Sequence, residues 1–498
     1  ITPKTLIVQA NDDAQFVTRA DAINFAGASY SGFVTNESTA NLSGTLAITR
    51  TNSTTTAAGV YNNVLVPSGL SSTNYNIVNQ AGQYTIVPAN QLLVRVANST
   101  TTYGTSPALS ISSAQYLASD NTTIRDLTSS INTSNGVFSL TDGSSGSAQF
   151  GLSLNNPTLS GAGMPTVGIW DITANNINRT SSNFSNNLVV VGSQTINPKP
   201  LTINVTAANK VYDGTVIATP SLSTTDVLTG DNVSLLVGAA NFANKNAGTD
   251  KTVAATGLGL NGTDIGNYVL QNISAITTAD ITPKTLTISG ITATDKVYDA
   301  TTQANVSTAG LTTNVMHTAG LIAGDDFHVS ATGNFRDANN TANDKNVGNN
   351  KTVLLNASYV GADVNNYTVI DQATTTASIT PKSIQLTGLS VASSKVYDGT
   401  TDASVQGSAS LLNSETAGRG SSTDGKPYLN DVLNLVGAST GTYNSKDVTS
   451  ASSVAFTGIS LSGSDANNYT LLAHANASAT ITPKTLIVQA NDDAQFVT

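Results

Sequence analysis

Cysteine is absent from the 498 residues, and histidine, methionine and tryptophan are scarce at 3, 2 and 1. Without cysteine there is no disulfide scaffold and no thiolate zinc or iron–sulfur site. Charge is thin as well: 21 Lys and Arg with 31 Asp and Glu make 10 % of the chain, where about 25 % is usual. The 21 cations are scattered and form no positive footprint able to displace phosphate counterions, so nucleic acid is not an expected partner. No apolar run approaches the roughly 18 residues that a membrane-crossing helix needs, so no membrane span is expected here. Strong helix formers are sparse, with glutamate only at Glu37 and Glu415, and long helices are not expected either.

What is abundant points to strands and turns. Thr, Val, Ile and Tyr favour strands, while Gly, Asn, Asp and Ser favour turns. Apolar residues make up 39 % of the chain and come in short alternating runs, which argues for packed cores rather than disorder.

Repeats set the organisation. Residues 1–18, ITPKTLIVQANDDAQFVT, recur letter for letter at 481–498. An identity this long reads as duplication, with a super-repeat of 480 residues and 481–498 as the start of its next copy. The chain then reads as a window on a longer array, with any export signal and anchor outside it. Within the super-repeat a Pro-containing boundary recurs at Pro3, Pro88, Pro198, Pro283, Pro381 and Pro483, with spacings of 85, 110, 85, 98 and 102. Five β modules are expected: 1–87, a longer 88–195, 196–280, 281–378 and 379–480. Each is the size of a small domain with its own core.

The last three modules share a detailed pattern. An alternating strand opens each, at 201–205, 286–288 and 384–386. Lys-Val-Tyr-Asp follows at 210–213, 296–299 and 395–398, then a Gly-Asp or Asn-Asp turn at 230–231, 324–325 and 430–431. Two modules continue with Lys-Asn-x-Gly at 245–248 and 345–348, where the fifth has Ser445-Lys446-Asp447. An Asn-Tyr pair closes each, at 267–268, 366–367 and 468–469. The first module keeps Asn74-Tyr75, and the second has Tyr103 in Thr-Tyr-Gly-Thr, plus a Ser/Gly-rich insertion at 142–147 that reads as a loop tip.

Six to eight short strands per hundred residues, with turn signals every 8–12, predict an all-β chain: a linear tandem array of antiparallel, immunoglobulin-like β-sandwich modules. Pro lacks an N–H and ends sheet pairing at each hand-over. A linker of two or three residues is stiff, so a rod of about 35–40 Å per module is expected from strand rise.

The motif residues are read first as structure. Tyr212-Asp213-Gly214, Tyr298-Asp299 and Tyr397-Asp398-Gly399 form turns in which the ring is buried, its hydroxyl bonded, and the Asp caps its own turn. Ala300 stands where the other two turns have Gly, so the turn is expected not to need positive φ and to be type I. Tyr268, Tyr367 and Tyr469 read as tyrosine corners. Asp12-Asp13 and Asp325-Asp326 read as solvated turn carboxylates; Ca²⁺ is their sharper reading, although no spacing matches a calcium loop. His317, His328 and His474 lie in different surroundings, with no HExxH, GxSxG or phosphate loop, so no catalytic or metal-ligating set and no cofactor is assigned. Trp170 reads as a core or shelf residue, with stacking on a sugar as the alternative. Lys–Asn crosslinks would suit a chain under tension, but nothing in the sequence marks a buried acid beside such a pair. Asn-x-Ser/Thr sequons, as at Asn41, Asn98, Asn121 and Asn232, are frequent enough in so Asn-, Ser- and Thr-rich a chain to arise by chance.

Lys-Val-Tyr-Asp-Gly-Thr, Gly-Asp-x-Val, Asn-Tyr-x-Leu and Ile-Thr-Pro-Lys together resemble the YDG and MBG repeat modules of very large filamentous-haemagglutinin-like adhesins of Gram-negative bacteria. The resemblance is closest over 196–480, while the first two modules look more like the MBG kind. It implies secretion to the bacterial cell surface and a stalk role, and supplies no catalytic residues. The expected function is therefore a non-enzymatic, structural or adhesive extracellular fibre. Its expected partners are neighbouring copies of the repeat, laterally associating rods that pair along edge strands, and a host or matrix glycan. The alternative is a carbohydrate- or glycoprotein-binding array with 88–195 as the binding element.

Overall fold

A computed structural model describes residues 2–34, 37–143, 146–181, 183–184, 188–492 and 495. Ile1, the tip of the insertion at Ser144-Ser145 and several of the last residues of the duplicated segment lie outside the described residues. The described chain divides into two compact units. One holds the residues up to 208 with 216–243 and 250–279; the other holds 209–215, 244–249 and 280 onward.

In the first unit, Lys4–Ala10 lies between Ala28–Ser31 and Tyr75–Gln80, and packs on a four-stranded sheet of Asp13–Phe16, Gly82–Val87, Gly59–Ser71 and Ser43–Arg50. Period-2 alternation puts Leu6 and Val8 on the inner face, and both are fully buried against Tyr75. The longer second module pairs a four-stranded sheet around Leu92–Val96 with a six-stranded sheet around Ser147–Leu154 and Gly168–Arg179. Its core gathers Leu92, Val94, Phe138, Leu140, Phe150 and Ile172 between the two.

In the second unit, Lys284–Thr287 pairs with Tyr367–Ile370 beside a six-stranded sheet centred on Gly348–Val360. The last module repeats the plan with Lys382–Val391 against Tyr469–Leu472 and a sheet containing Thr440–Tyr443 and Ser453–Thr457. Beyond the strands, the described residues contain only short 3₁₀ turns and one helical turn at Thr313–Thr318. The all-β sandwich architecture is thus the observed one.

Two pairings within it are parallel. The opening strand runs parallel to the closing tyrosine strand in the same register each time: Lys4 opposite Tyr75, Lys199 opposite Tyr268, Lys284 opposite Tyr367 and Lys382 opposite Tyr469. The next short strand then runs parallel to the module's last strand, with Lys210 opposite Ile281, Lys296 opposite Ile379 and Lys395 opposite Ile481. The opening segment therefore splits between both sheets and ties them together. The hand-over is also shorter than expected. Only Pro198 separates Ser193–Asn197 from Lys199–Leu201, and only Pro381 separates Thr374–Thr380 from Lys382–Val391.

The Tyr-Asp-Gly-Thr turn corrects one expectation. Ala300 sits at φ +59, beside Gly104 at +86, Gly214 at +78 and Gly399 at +85. The position does demand the left-handed region; Ala300 tolerates the strain rather than escaping it. The side chain of Asp299 fixes that geometry by accepting from the Thr301 N–H at 2.9 Å and the Thr301 hydroxyl at 2.8 Å. Left-handed strain on a non-glycine residue is worth about 1–2 kcal/mol, and the extra unfolded-state freedom of glycine offsets about 0.5–1 of it. Ala300→Gly is therefore expected to stabilise its module by about 0.5–1 kcal/mol, read as a rise of a few degrees in its unfolding midpoint; a fall would contradict the strained turn.

Candidate functional site: a tyrosine–carboxylate joint

The motif residues converge on one recurring arrangement, built where successive modules meet. The Gly-Asp turn starts it. The residue before the Asp has φ +105 at Gly230, +90 at Gly324 and +72 at Asn430, a conformation that glycine and asparagine tolerate best. This explains the Gly/Asn alternation and aims the following carboxylate out of its own turn.

In the second unit the carboxylate of Asp325 is 2 % exposed. It accepts from the Tyr367 hydroxyl of its own module at 2.5 Å. It accepts from the Tyr212 hydroxyl of the preceding module at 2.8 and 2.9 Å. Lys245 Nζ, also from the preceding module, lies 2.6 Å from Asp325 and 3.0 Å from Asp363. The two rings meet edge to face at 5.6 Å between centroids. The Ala247 N–H donates to Asn366 Oδ1 at 2.8 Å.

The same set recurs one module on. Asp431, 1 % exposed, accepts from Tyr469 at 2.6 Å and from Tyr298 at 2.8 Å, and is paired with Lys345. Tyr298 and Tyr469 are edge to face at 5.3 Å, and Val347 N–H donates to Asn468 Oδ1 at 2.9 Å. In the first unit Asp231 accepts from Tyr268 and Tyr103, each at 2.7 Å. No lysine faces it. The Ala162 N–H at 2.8 Å takes that place, with Ser160 bonded to Tyr103.

Each closing tyrosine is doubly used. Its hydroxyl donates to the Asp and accepts a backbone N–H three residues before it: Leu228 at 2.8 Å, Ile322 at 2.9 Å and Tyr428 at 2.9 Å. These tyrosines therefore pin a loop about forty residues upstream, while Tyr103, Tyr212 and Tyr298 reach across to the next module. Tyr397 occupies the same turn position, and its hydroxyl has no partner among the described residues. The capping role of Asp213, Asp299 and Asp398 is local: each accepts from a Thr two residues on and a Lys three residues back.

Asp325 and Asp13 are not solvated turn carboxylates. Asp13 is buried and 2.5 Å from Arg95. Asp12, beside it, is pushed up to about 7 by burial and by the charge of Asp171. Among the described residues no group of three or more His, Asp or Glu could hold a metal ion. His328 lies 3.0 Å from Asp326 in solvent, and His474 packs edge-on against Phe456. Trp170 is partly buried and its indole N–H donates to Thr166 O at 2.8 Å.

One acid-flanked buried lysine does exist, unmarked in the sequence. Lys382 is fully buried, 2.5 Å from Glu415, 3.0 Å from Asp424 and 4.2 Å from the centre of the Tyr428 ring. Burial opposes its charge, but Glu415 and Asp424 outweigh it and hold Lys382 protonated. Burial likewise raises Asp424, but the Lys426 N–H, Lys382 and the Ser421 N–H hold it ionised. Its partners are Asp and Glu rather than Asn, so this is an acid–lysine cluster rather than the Lys–Asn pair that a crosslink would need.

Sequence reading missed the cross-module reach of these residues. The signal was present in two constant offsets: an Asp four residues before each closing Tyr (264/268, 363/367, 465/469), and a carboxylate three residues after each pinned amide.

A model of the YDG domain matches residues 197–277, 282–377 and 380–479, and a model of the MBG domain (YGX type) matches 6–85. No curated protein matches the chain. Among solved structures the chain is similar to the protocadherin GammaB4 extracellular domain, with 10 % identity over 97 % of this chain and 84 % of that one at a TM-score of 0.21. It is also similar to Sidekick-1 immunoglobulin domains 1–5, with 10 % identity, 97 % and 99 % coverage and a TM-score of 0.17. A SusE-like surface-located polysaccharide-binding protein of Bacteroides thetaiotaomicron matches at 10 % identity, 96 % and 99 % coverage and a TM-score of 0.12. Scores this low carry no argument about this chain.

Two expectations follow for the joint. A hydrogen bond to a charged group contributes about 1.5–3 kcal/mol net. Tyr212→Phe is thus expected to destabilise the joint by about 1.5–3 kcal/mol, and to be coupled to Asp325→Asn in a double-mutant cycle; additivity within about 0.5 kcal/mol would contradict the contact. The second concerns pH. Burial raises Asp325 and Asp231, but the lysine or tyrosine donors outweigh it and hold both below the ordinary carboxylate value. Their stabilisation is present above about pH 4 and is lost as pH falls through the lowered values. Burial and then the neighbouring Asp raise Tyr268, Tyr298, Tyr367 and Tyr469, and burial pushes Tyr103 up to about 12. That contribution is present below about pH 10 and is lost as pH rises through the raised values. The urea midpoint of the joint should form a plateau between those limits; a slope across pH 5–9 in the Asp325 joint would contradict it.

Proposed function

This chain belongs to the YDG domain family, with an MBG domain ahead of three YDG repeats, and from that membership we infer a structural role: a load-bearing segment of an extracellular stalk or fibre on a bacterial surface. The observation that carries the reading is where the chemically capable side chains are placed. Asp231, Asp325 and Asp431, with the tyrosine hydroxyls and lysines that donate to them, are engaged across neighbouring modules. An array of this kind is non-enzymatic and acts through length and connection.

Several physical features support the reading. One-residue proline hand-overs leave little freedom between modules. A cysteine-free chain keeps its fold whatever the redox state of its surroundings. A surface rich in Thr, Ser and Asn with a net charge of −10 is well hydrated and resists collapse onto its neighbours. The distinguishing experiment is immunogold electron microscopy of cells that express the parent protein, with antibody raised against this chain. Label on projections outside the cell envelope is the expected result. Label confined to the cell interior would overturn the extracellular reading.

A further inference from the structure

We propose that successive copies of the 480-residue repeat are themselves locked by a fourth tyrosine joint, in which Tyr397 of one copy is taken up by Glu37 of the next. The partner is a second copy of this repeat, and the contact is between the end of one fifth module and the first module that follows it. The proposal rests on the tandem-array reading and adds what holds one copy to another.

The acceptor half is already built in the first module. Tyr75 is 4 % exposed, and its hydroxyl accepts the Val34 N–H at 3.0 Å and donates to Glu37. Glu37 N–H returns to Val34 O at 3.1 Å, as Asp231 N–H does to Leu228 O at 3.1 Å and Asp325 N–H to Ile322 O at 3.2 Å. Glu37 therefore stands in the position of Asp231, Asp325 and Asp431, three residues after the pinned amide. Asn36 precedes it in the sequence as Asn430 precedes Asp431. What differs is the neighbour. Each of the three aspartates also receives a tyrosine from the module before it; among the described residues the Glu37 carboxylate receives only Tyr75. Asn74 is exposed, whereas its counterparts Asn267, Asn366 and Asn468 are 4, 2 and 2 % exposed and cap the preceding module.

The donor half is equally built and unused. Tyr397 N–H donates to Thr482 O at 2.9 Å, as Tyr212 does to Thr282 O and Tyr298 to Thr380 O, both at 2.8 Å. Its backbone is therefore anchored to the hand-over as theirs is. Its hydroxyl lacks a partner among the described residues. Lys446, in the place of Lys245 by sequence, is exposed.

The connection between the halves has the same length and composition as in the established joints. Ile-Thr-Pro-Lys at 481–484 repeats 281–284 and 379–382. Lys4 opposite Tyr75 keeps the register of Lys284 opposite Tyr367 and Lys382 opposite Tyr469. Leu486 and Val488 are 84 % exposed, whereas their duplicates Leu6 and Val8 are fully buried. The segment after Pro483 thus carries the apolar face of a first module. Glutamate is one methylene longer than aspartate and offers the same two acceptor oxygens to a phenol.

The test uses two copies in tandem, residues 1–480 followed by 1–498, with the second copy isotope-labelled by segment ligation so that its peptides separate by mass. Hydrogen exchange is read over residues 28–37 of the second copy. The expected result is exchange about tenfold or more slower than in the single chain, returning to the single-chain rate on Tyr397→Phe in the first copy. Glu37→Gln in the second copy should give the same release, with no further effect when both are combined. Equal rates with and without Tyr397→Phe would overturn the proposal. Tyr298→Phe serves as the control, read at 425–432. A response there with silence at 28–37 refutes the copy-to-copy joint alone; silence at both refutes the joint reading from which it was drawn.

Discussion

A buried carboxylate must keep its donors, and here its donors belong to two modules. Asp325 and Asp431 lie almost wholly out of water, where an unpaired carboxylate would be costly. Each module supplies the Asp and one tyrosine; the module before it supplies the second tyrosine and the lysine. Neither side can satisfy its polar groups alone, so the interface is specified by the same chemistry that completes each module. The edge-to-face ring pairs at 5.6 and 5.3 Å add about 0.5–1.5 kcal/mol apiece beyond their buried area.

The joint tolerates exchange of its parts so long as the carboxylate is satisfied. Around Asp231 a backbone N–H and Ser160 stand where a lysine stands elsewhere. The contact between the first two modules uses a different solution. Val17 N–H donates to Val87 O at 3.1 Å, the bond that a tyrosine N–H makes in the other modules. Instead of a phenol, Phe16, Leu93, Leu117 and Val191 pack there as an apolar cluster, with the Asp13–Arg95 pair beside it. Nearby Asp12 is pushed up to about 7, so this contact gains from mild acidification, while the tyrosine joints hold until pH approaches 4. One array thus combines two kinds of contact with different responses to acid.

Much of the architecture was legible in the sequence. Period-2 alternation and the spacing of turn residues gave the all-β sandwich, because both report on local backbone constraints. The Asp cap of the Tyr-Asp-Gly-Thr turn was legible for the same reason: donor and acceptor lie two residues apart. The meaning of the tyrosines was not, because Tyr212 and Asp325 are 113 residues apart and belong to different repeats. Repetition itself hid the pairing: a motif that recurs in every module looks internal to each. Ala300 misled in a simpler way. One substitution suggested a permissive backbone, whereas the fold holds Ala300 at φ +59 by the hydrogen bonds around it.

The central claim is that modules are fixed to one another rather than strung together, and the amides of Ala247 and Val347 report on it most directly. Each donates across the hand-over, to Asn366 and Asn468, and each lies in a turn that would otherwise exchange freely with water. Native-state hydrogen exchange at these two amides should be as slow as at the core strand amides of the modules they join. Exchange at the rate of an open loop would mean that the modules swivel independently, and would contradict the account.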